Sequence, residues 1–299
     1  MPTARLQRIL AEAGLCSRRQ AEEWIREGRV AVNGKTAAIG DQADPARDDI
    51  TVRGRPLPKA LPRVYWLVNK PAGYTSSVRD RHAKHLVTDL IPPGSGRVYP
   101  VGRLDTPSRG LLLLTDDGWL AHRLMHPSFS VPKVYELWVE GYPGPARLER
   151  IQRGLTFEEG LLRAESAQVL ERVGQRSRVL VTLREGRKRE LRRLFEAVGN
   201  PVIDLVRTRY GPLSLEGLPE GACRPLHDEE IRALYRSVGG RERAVGEVSA
   251  VRSPAKEQTF IGGAATTQPT DPGRRQKLDP PRPRHPVRER RGDSKRSHR

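Results

Sequence analysis

Gly102-Arg103-Leu104-Asp105-Thr106-Pro107-Ser108-Arg109-Gly110 runs directly into Leu111-Leu112-Leu113-Leu114-Thr115-Asp116. The four leucines show no polar alternation and are bounded by turn residues, the pattern of a short buried strand. Asp105 stands ahead of that strand, between two arginines and two glycines. Neighbouring cations favour an ionised carboxylate, which suits a nucleophile. Aspartate is also common in turns for ordinary backbone reasons. The stretch alone leaves both readings open.

Working outward, residues 63–238 alternate strand-like and helical runs. Val64–Val68, Leu111–Thr115, Val134–Val139 and Val179–Leu183 read as strands, and Leu120–Met125, Pro145–Gly154 and Lys188–Val198 as helices. Strands outnumber helices without a regular βαβ rhythm. The expectation is therefore an α+β domain on a largely antiparallel mixed sheet. No GxGxxG or P-loop motif occurs, so a nucleotide cofactor has no local support, and no GxSxG elbow points to serine hydrolysis.

The chain has 299 residues, a net charge of +18 and a pI near 10.7. Its apolar share is 36%, with 5% aromatic, low enough to expect an unfolded portion. Such a basic balance calls for a polyanionic partner, because cations that neutralise phosphates release condensed counterions. No 18-residue apolar segment and no basic amphipathic helix favours a membrane instead. Cys16 and Cys223 are the only cysteines, too few for a disulfide framework or a Cys-rich zinc site. The pairs His82/His85 and His122/His126 have helical spacing but no evident third ligand, so no metal is expected. The opening residues lack the apolar core of a signal peptide, and a cytoplasmic setting with reduced thiols is expected.

Residues 1–60 begin with Leu6, Ile9, Leu10 and Ala13 at helical spacing, stopped by Gly14. Ser17 and Gln20 have the form of a capping box. A second helix carries Ala21, Trp24 and Ile25 on one face and ends at Gly28. Arg29–Val32 then reads as a strand and Asn33-Gly34 as a tight turn. Arg5, Arg8, Arg18, Arg19, Arg26 and Lys35, with Ser17, make a candidate phosphate-binding face; a merely solvated charged face is the alternative. The Arg-Leu-Gln-Arg-Ile-Leu-Ala-Glu-Ala-Gly-Leu-Cys-Ser-Arg-Arg opening and the Val-x-Val-Asn-Gly turn resemble the S4 RNA-binding domain. A proline-bearing linker, residues 53–62, leads to the central domain at 61–240. Residues 241–299 read as a disordered Arg/Pro-rich tail that tethers RNA nonspecifically.

Two further regions carry possible chemistry. Lys133-Val134-Tyr135 opens a strand with a cation and an aromatic that either caps the core or stacks on a base. Arg184-Glu185-Gly186-Arg187-Lys188-Arg189-Glu190-Leu191-Arg192-Arg193 is cationic where a helix begins, against the dipole preference. Anion binding and pairing with Glu185, Glu190 and Glu196 are the two explanations. Together with Asn69-Lys70-Pro71-Ala72-Gly73 and the Gly-Arg-Leu-Asp stretch, these motifs resemble the Rsu-type bacterial ribosomal RNA pseudouridine synthases with an N-terminal S4 domain. The match runs over about residues 1–235, and the basic tail looks most like the large-subunit rRNA branch. That family often has Gln where this chain has Glu190.

The resemblance implies that Asp105 is the nucleophile of a cofactor-free conversion of uridine to pseudouridine in ribosomal RNA, 23S being favoured. It implies that Arg192 pairs with Asp105, that Tyr135 packs on the target base, and that Leu191 lines the same pocket. Arg103 is expected to hold the flipped nucleotide open, with Lys70, Arg187 and Arg189 as phosphate contacts. Arg109 is either another phosphate contact or a partner of Asp116. The implied partner is ribosomal RNA or a pre-ribosomal particle, met by a monomer. A non-catalytic S4-domain ribosome-assembly factor is the competing expectation.

Overall fold

Short sequence signals build the N-terminal region as expected. A computed structural model describes residues 3–58 and 62–240. Strand β1 (Ala4–Arg5) leads into α1 (Leu6–Glu12) and α2 (Arg18–Arg26). Both helices end on a left-handed glycine, Gly14 and Gly28. Each end closes with the same bond pair: Leu15 to Leu10 and Gly14 to Ala11, then Arg29 to Trp24 and Gly28 to Ile25. Ser17 Oγ accepts from the Gln20 amide at 3.1 Å, but no return bond from the Gln20 side chain occurs, so only half of the expected capping box forms.

Strands β2 (Val30–Val32), β3 (Lys35–Thr36), β5 (Ile50–Val52) and β6 (Arg55–Pro56) form an antiparallel sheet in the order β3-β2-β5-β6, and β4 (Gln42–Ala43) pairs with β1. Asn33 and Gly34 both have positive φ, as the two-residue turn joining β2 to β3 requires. Leu6, Ile9, Leu10, Cys16, Ala21, Ile25 and Val30 share one small core.

The central region supplies β7 (Tyr65–Lys70), β8 (Tyr99–Pro100), β9 (Arg109–Thr115), α3 (Gly118–Met125), β10 (Lys133–Glu140) and α4 (Pro145–Arg153). It continues through β11 (Leu155–Phe157), β12 (Gly160–Leu162), β13 (Ser166–Val173), β14 (Arg176–Leu183), α5 (Glu190–Ala197), β15 (Val202–Tyr210), β16 (Leu213–Ser214), β17 (Cys223–Pro225) and α6 (Asp228–Ser237). The main sheet has the order β13-β14-β10-β15-β9-β7-β17, antiparallel except where β15 meets β9. The mixed, mostly antiparallel sheet expected from the sequence is therefore present.

Leu111 and Leu113 pack with Tyr65 and Leu67, while Leu112 and Leu114 pack with Trp66 and Val68. Both faces of β9 are covered, which is why its sequence does not alternate. Helices α4 and α5 cover β10, β14 and β15 in one hydrophobic cluster, and α3 and α6 cover β7 and β9 in another. The parallel seam between β15 and β9 needs Gly110: a Cβ there would stand 2.4 Å from the Arg207 carbonyl oxygen, at a φ of +106°. No helix among the described residues is long and apolar enough to cross a membrane. The tail expected at 241–299 lies outside the described residues, as do positions 59–61 of the linker.

Candidate active site

Asp105 follows a backbone held from two directions. Lys70 ends β7 and is fully buried, and its Nζ donates to the carbonyls of Pro71 (3.0 Å), Asp105 (3.3 Å), Thr106 (3.2 Å) and Ser108 (2.6 Å). The Gly73 amide donates to Thr106 O at 2.8 Å, and the Ser108 amide closes a turn onto Asp105 O at 2.9 Å. On the other side, Ser76 Oγ donates to Leu104 O at 2.8 Å and accepts from Leu104 N at 3.1 Å. Lys70 is thus no phosphate contact, because its ammonium is sealed inside the protein by the loop it holds. Burial pushes its pKa down to about 8.

The sheet brings the partners of Asp105 to the same place. Along β10, Lys133, Tyr135, Leu137 and Val139 are the buried positions, so a lysine occupies an inward register. Tyr135 is opposite Val181 on β14 and Arg207 on β15, and directly opposed residues face the same side of a sheet. A cavity of about 670 Å³ opens here, within the roughly 300–1,000 Å³ usual for small-molecule sites. Its walls include Arg103, Asp105, Tyr135, Arg187, Arg189, Leu191 and Arg192. The expected site residues therefore converge, except Lys70, which lies behind the Asp105 loop.

The expected ion pair between Arg192 and Asp105 does not form. Arg192 Nη1 donates instead to Val202 O at 3.1 Å, at the start of β15, and its Nε is buried without a partner. Asp105 is near enough to favour the charged guanidinium, although burial and Arg189 outweigh it and lower the Arg192 pKa. Helix α5 starts at Glu190 rather than Lys188, because Arg189 takes a left-handed backbone.

On the cavity rim, acid pairing accounts for part of the basic cluster. Arg187 is held by Glu185 at 3.0 Å and by Glu159 O at 3.0 Å, and Arg193 by Glu159 at 2.8 Å. Arg103 and Arg189 are exposed and form no ion pair among the described residues. Arg109 is not the partner of Asp116: it pairs with Asp204 and Glu220, while Asp116 takes Arg63 and the Val64 amide.

Among the wall residues that escaped the sequence reading as site residues are Lys133, Glu190 and Arg207. The signal for Lys133 was its register with Tyr135 and Leu137. Glu190 is buried, its Oε2 accepting from the Arg187 amide at 2.9 Å and its Oε1 unpartnered. Burial raises its pKa.

On the S4 face, Arg5, Arg18, Arg19, Arg26 and Lys35 are exposed. Arg8 is neutralised by Glu12 at 2.7 Å, and Ser17 is occupied in capping α2. A larger cavity, about 1320 Å³, lies beside this face. Arg8, Ser17 and Arg18 line it on one side and Arg63, Arg97 and Arg123 on the other, and Met125 borders both cavities. Asp105 and Tyr135 line the smaller cavity and not the larger one.

Comparison with known proteins agrees with this division. Residues 64–197 match the RNA pseudouridylate synthase family and residues 4–45 the S4 domain. The chain is 41% identical over 232 residues to a Bacillus subtilis protein named ribosomal large subunit pseudouridine synthase B, covering 77% of this chain and 95% of that one. A Haemophilus influenzae protein of the same name is 40% identical, with coverage of 79% and 68%. A crystal structure of a pseudouridylate synthase superposes with a TM-score of 0.54 at 30% identity, covering 77% of this chain and 99% of the other. With its S4 domain ahead of a sheet that gathers the Gly-Arg-Leu-Asp loop, Tyr135 and the α5 arginines around one cavity, the chain belongs to the RNA pseudouridylate synthase family.

Proposed function

We propose that this protein converts uridine to pseudouridine in ribosomal RNA, large-subunit rRNA being favoured, with Asp105 as the nucleophile. The observation that carries the reading is Asp105 on a doubly anchored turn, at the wall of a nucleotide-sized cavity shared with Tyr135 and Leu191. The names of the relatives support the substrate. The reaction detaches uracil from C1′, turns it, and rejoins it through C5, so atoms balance without a redox step or group donor. Asp105 either attacks C1′ or removes the 2′ proton. Tyr135 packs against the base and Leu191 lines its pocket, while Arg103 and Arg189, both free of acid partners among the described residues, hold the extruded nucleotide and its phosphates.

In this proposal residues 1–60 form the S4 module, 61–240 the catalytic domain and 241–299 a basic tail, acting as a monomer in the cytoplasm. RNA lying along the basic groove beside Arg18 and Arg123 reaches the catalytic cavity past Met125. The test compares wild type with Asp105→Asn on in-vitro transcripts of both ribosomal RNAs, scoring pseudouridine chemically. Wild type should introduce pseudouridine, and the variant should be slower by at least roughly 10³-fold while binding RNA equally well. Tight binding with no conversion by wild type on any transcript would instead identify a non-catalytic assembly factor.

A further inference from the structure

Lys70, Lys133 and Arg207 are buried beneath the cavity, at 0%, 7% and 2% exposure, and none forms an ion pair among the described residues. A buried cation without a carboxylate partner works against folding. Lys70 is accounted for by the loop it clamps. Lys133 and Arg207 lie instead against the Tyr210 ring, 5.4 and 5.0 Å from its centroid, with no carboxylate bonded to either among the described residues.

Lys133 Nζ donates to Val131 O (3.0 Å) and Arg184 O (3.3 Å), and Arg207 Nε donates to Leu111 O (2.8 Å). Arg207 Nη2 is buried with no partner, and both side chains line the cavity. Burial, with Arg207 close beside it, pulls the Lys133 pKa down to about 8. Glu190, the buried acid on the same wall, has its pKa raised by burial, and its attraction for Lys133 only partly offsets the burial of that lysine.

The isomerisation generates a charge that such a field fits. When the C1′–N1 bond breaks, its electron pair leaves with the base, and the uracil anion spreads that charge over N1, O2 and O4. Meanwhile the Asp105 carboxylate either bonds to C1′ or takes the 2′ proton. Rejoining through C5 expels the carboxylate or returns that proton. C5 then loses its proton and N1 gains one. We propose that Arg207, with Lys133 beside it, is a catalytic cradle for the detached uracil anion, the Arg207 guanidinium donating to a ring oxygen of the base. Donors aimed at developing charge in a closed site act in this way. The inference rests on the pseudouridine synthase reading and deepens it.

The test uses the full chain and rRNA transcripts made with uridine or with 5-fluorouridine, whose fluorine makes the base a better leaving group. Single-turnover cleavage of the N-glycosidic bond is read by mass spectrometry of nuclease digests at saturating RNA. Arg207→Gln should slow uridine transcripts by about 10²-fold, but 5-fluorouridine transcripts by less than about tenfold, with RNA affinity unchanged. Arg207→Lys should retain activity within about tenfold of wild type on uridine. Lys133→Gln should show the same substrate-dependent loss and decides the matter if Arg207→Gln does not fold. Equal losses on both transcripts, a loss confined to affinity, or no loss overturns the cradle. Failure of wild type on every uridine transcript overturns the underlying reading as well.

Discussion

The arginines of the S4 face and the cations under the cavity carry the same charge in opposite surroundings. Arg5, Arg18, Arg19 and Arg26 stand in water on short helices and their approaches, whereas Lys70, Lys133 and Arg207 are closed inside the sheet. Two unit charges 4 Å apart interact by about 1 kcal/mol in bulk water and about 4 kcal/mol near an effective dielectric of 20. The exposed set therefore acts by number and is screened by salt. The buried set acts by position, and salt barely reaches it. Attraction for RNA and the means to act on it thus occupy different parts of the chain.

Breaking the seam that positions the buried set should have the largest effect. Gly110→Ala drives a methyl into the Arg207 carbonyl at a φ that L side chains rarely adopt. A loss of about 3 kcal/mol or more is expected from such strain and overpacking, read as a lower urea midpoint, together with loss of turnover. A variant as stable as wild type would show that β15 is free to shift.

A pH series separates charge from fold next. Lys70 and Lys133 both have folded pKa values near 8, against 10.5 for the free side chain, because of burial. Below pH 8 each is charged in both states, and its burial counts against the fold. Between about 8 and 10.5 the unfolded chain binds more protons, so this contribution to stability rises with pH. Single-turnover rate should fall up to about tenfold per pH unit above 8, with no drop in urea midpoint between pH 7 and 9. Parallel decline of both would mean that the floor does not need its charge.

The smallest effect on turnover should come from the exposed set. Replacing Arg18, Arg19 and Arg26 together with alanine should reduce the salt slope of RNA binding by about two, with turnover at saturating RNA within twofold. A large loss at saturation would place these arginines in the catalytic complex.

Local signals made much of the fold legible. Glycines at 14 and 28, Asn33-Gly34 and the leucines of β9 each specify backbone geometry within a few residues. Strand β15 gave no such signal, since Asp204, Arg207 and Arg209 interrupt its alternation, and Asp204 meets Arg109 and Arg207 Nε the Leu111 carbonyl far away in sequence. Lys70 misled for the same reason. The resemblance made Lys70 a phosphate contact, but four carbonyls, three of them from 105–108, close around it.

The amino-acid sequence by itself determined the element types, the two-part organisation, the polyanionic partner and the candidacy of Asp105, because each depends on local periodicity, turn chemistry or summed charge. Only the tertiary structure decided which cations face water and which face the cavity. It made Lys70 a clamp, sent Arg192 to the Val202 carbonyl rather than Asp105, and set Arg207 opposite Tyr135. The reason is register: neighbours across a sheet are chosen by strand pairing over scores of residues, and whether a charge is sealed or solvated depends on those neighbours.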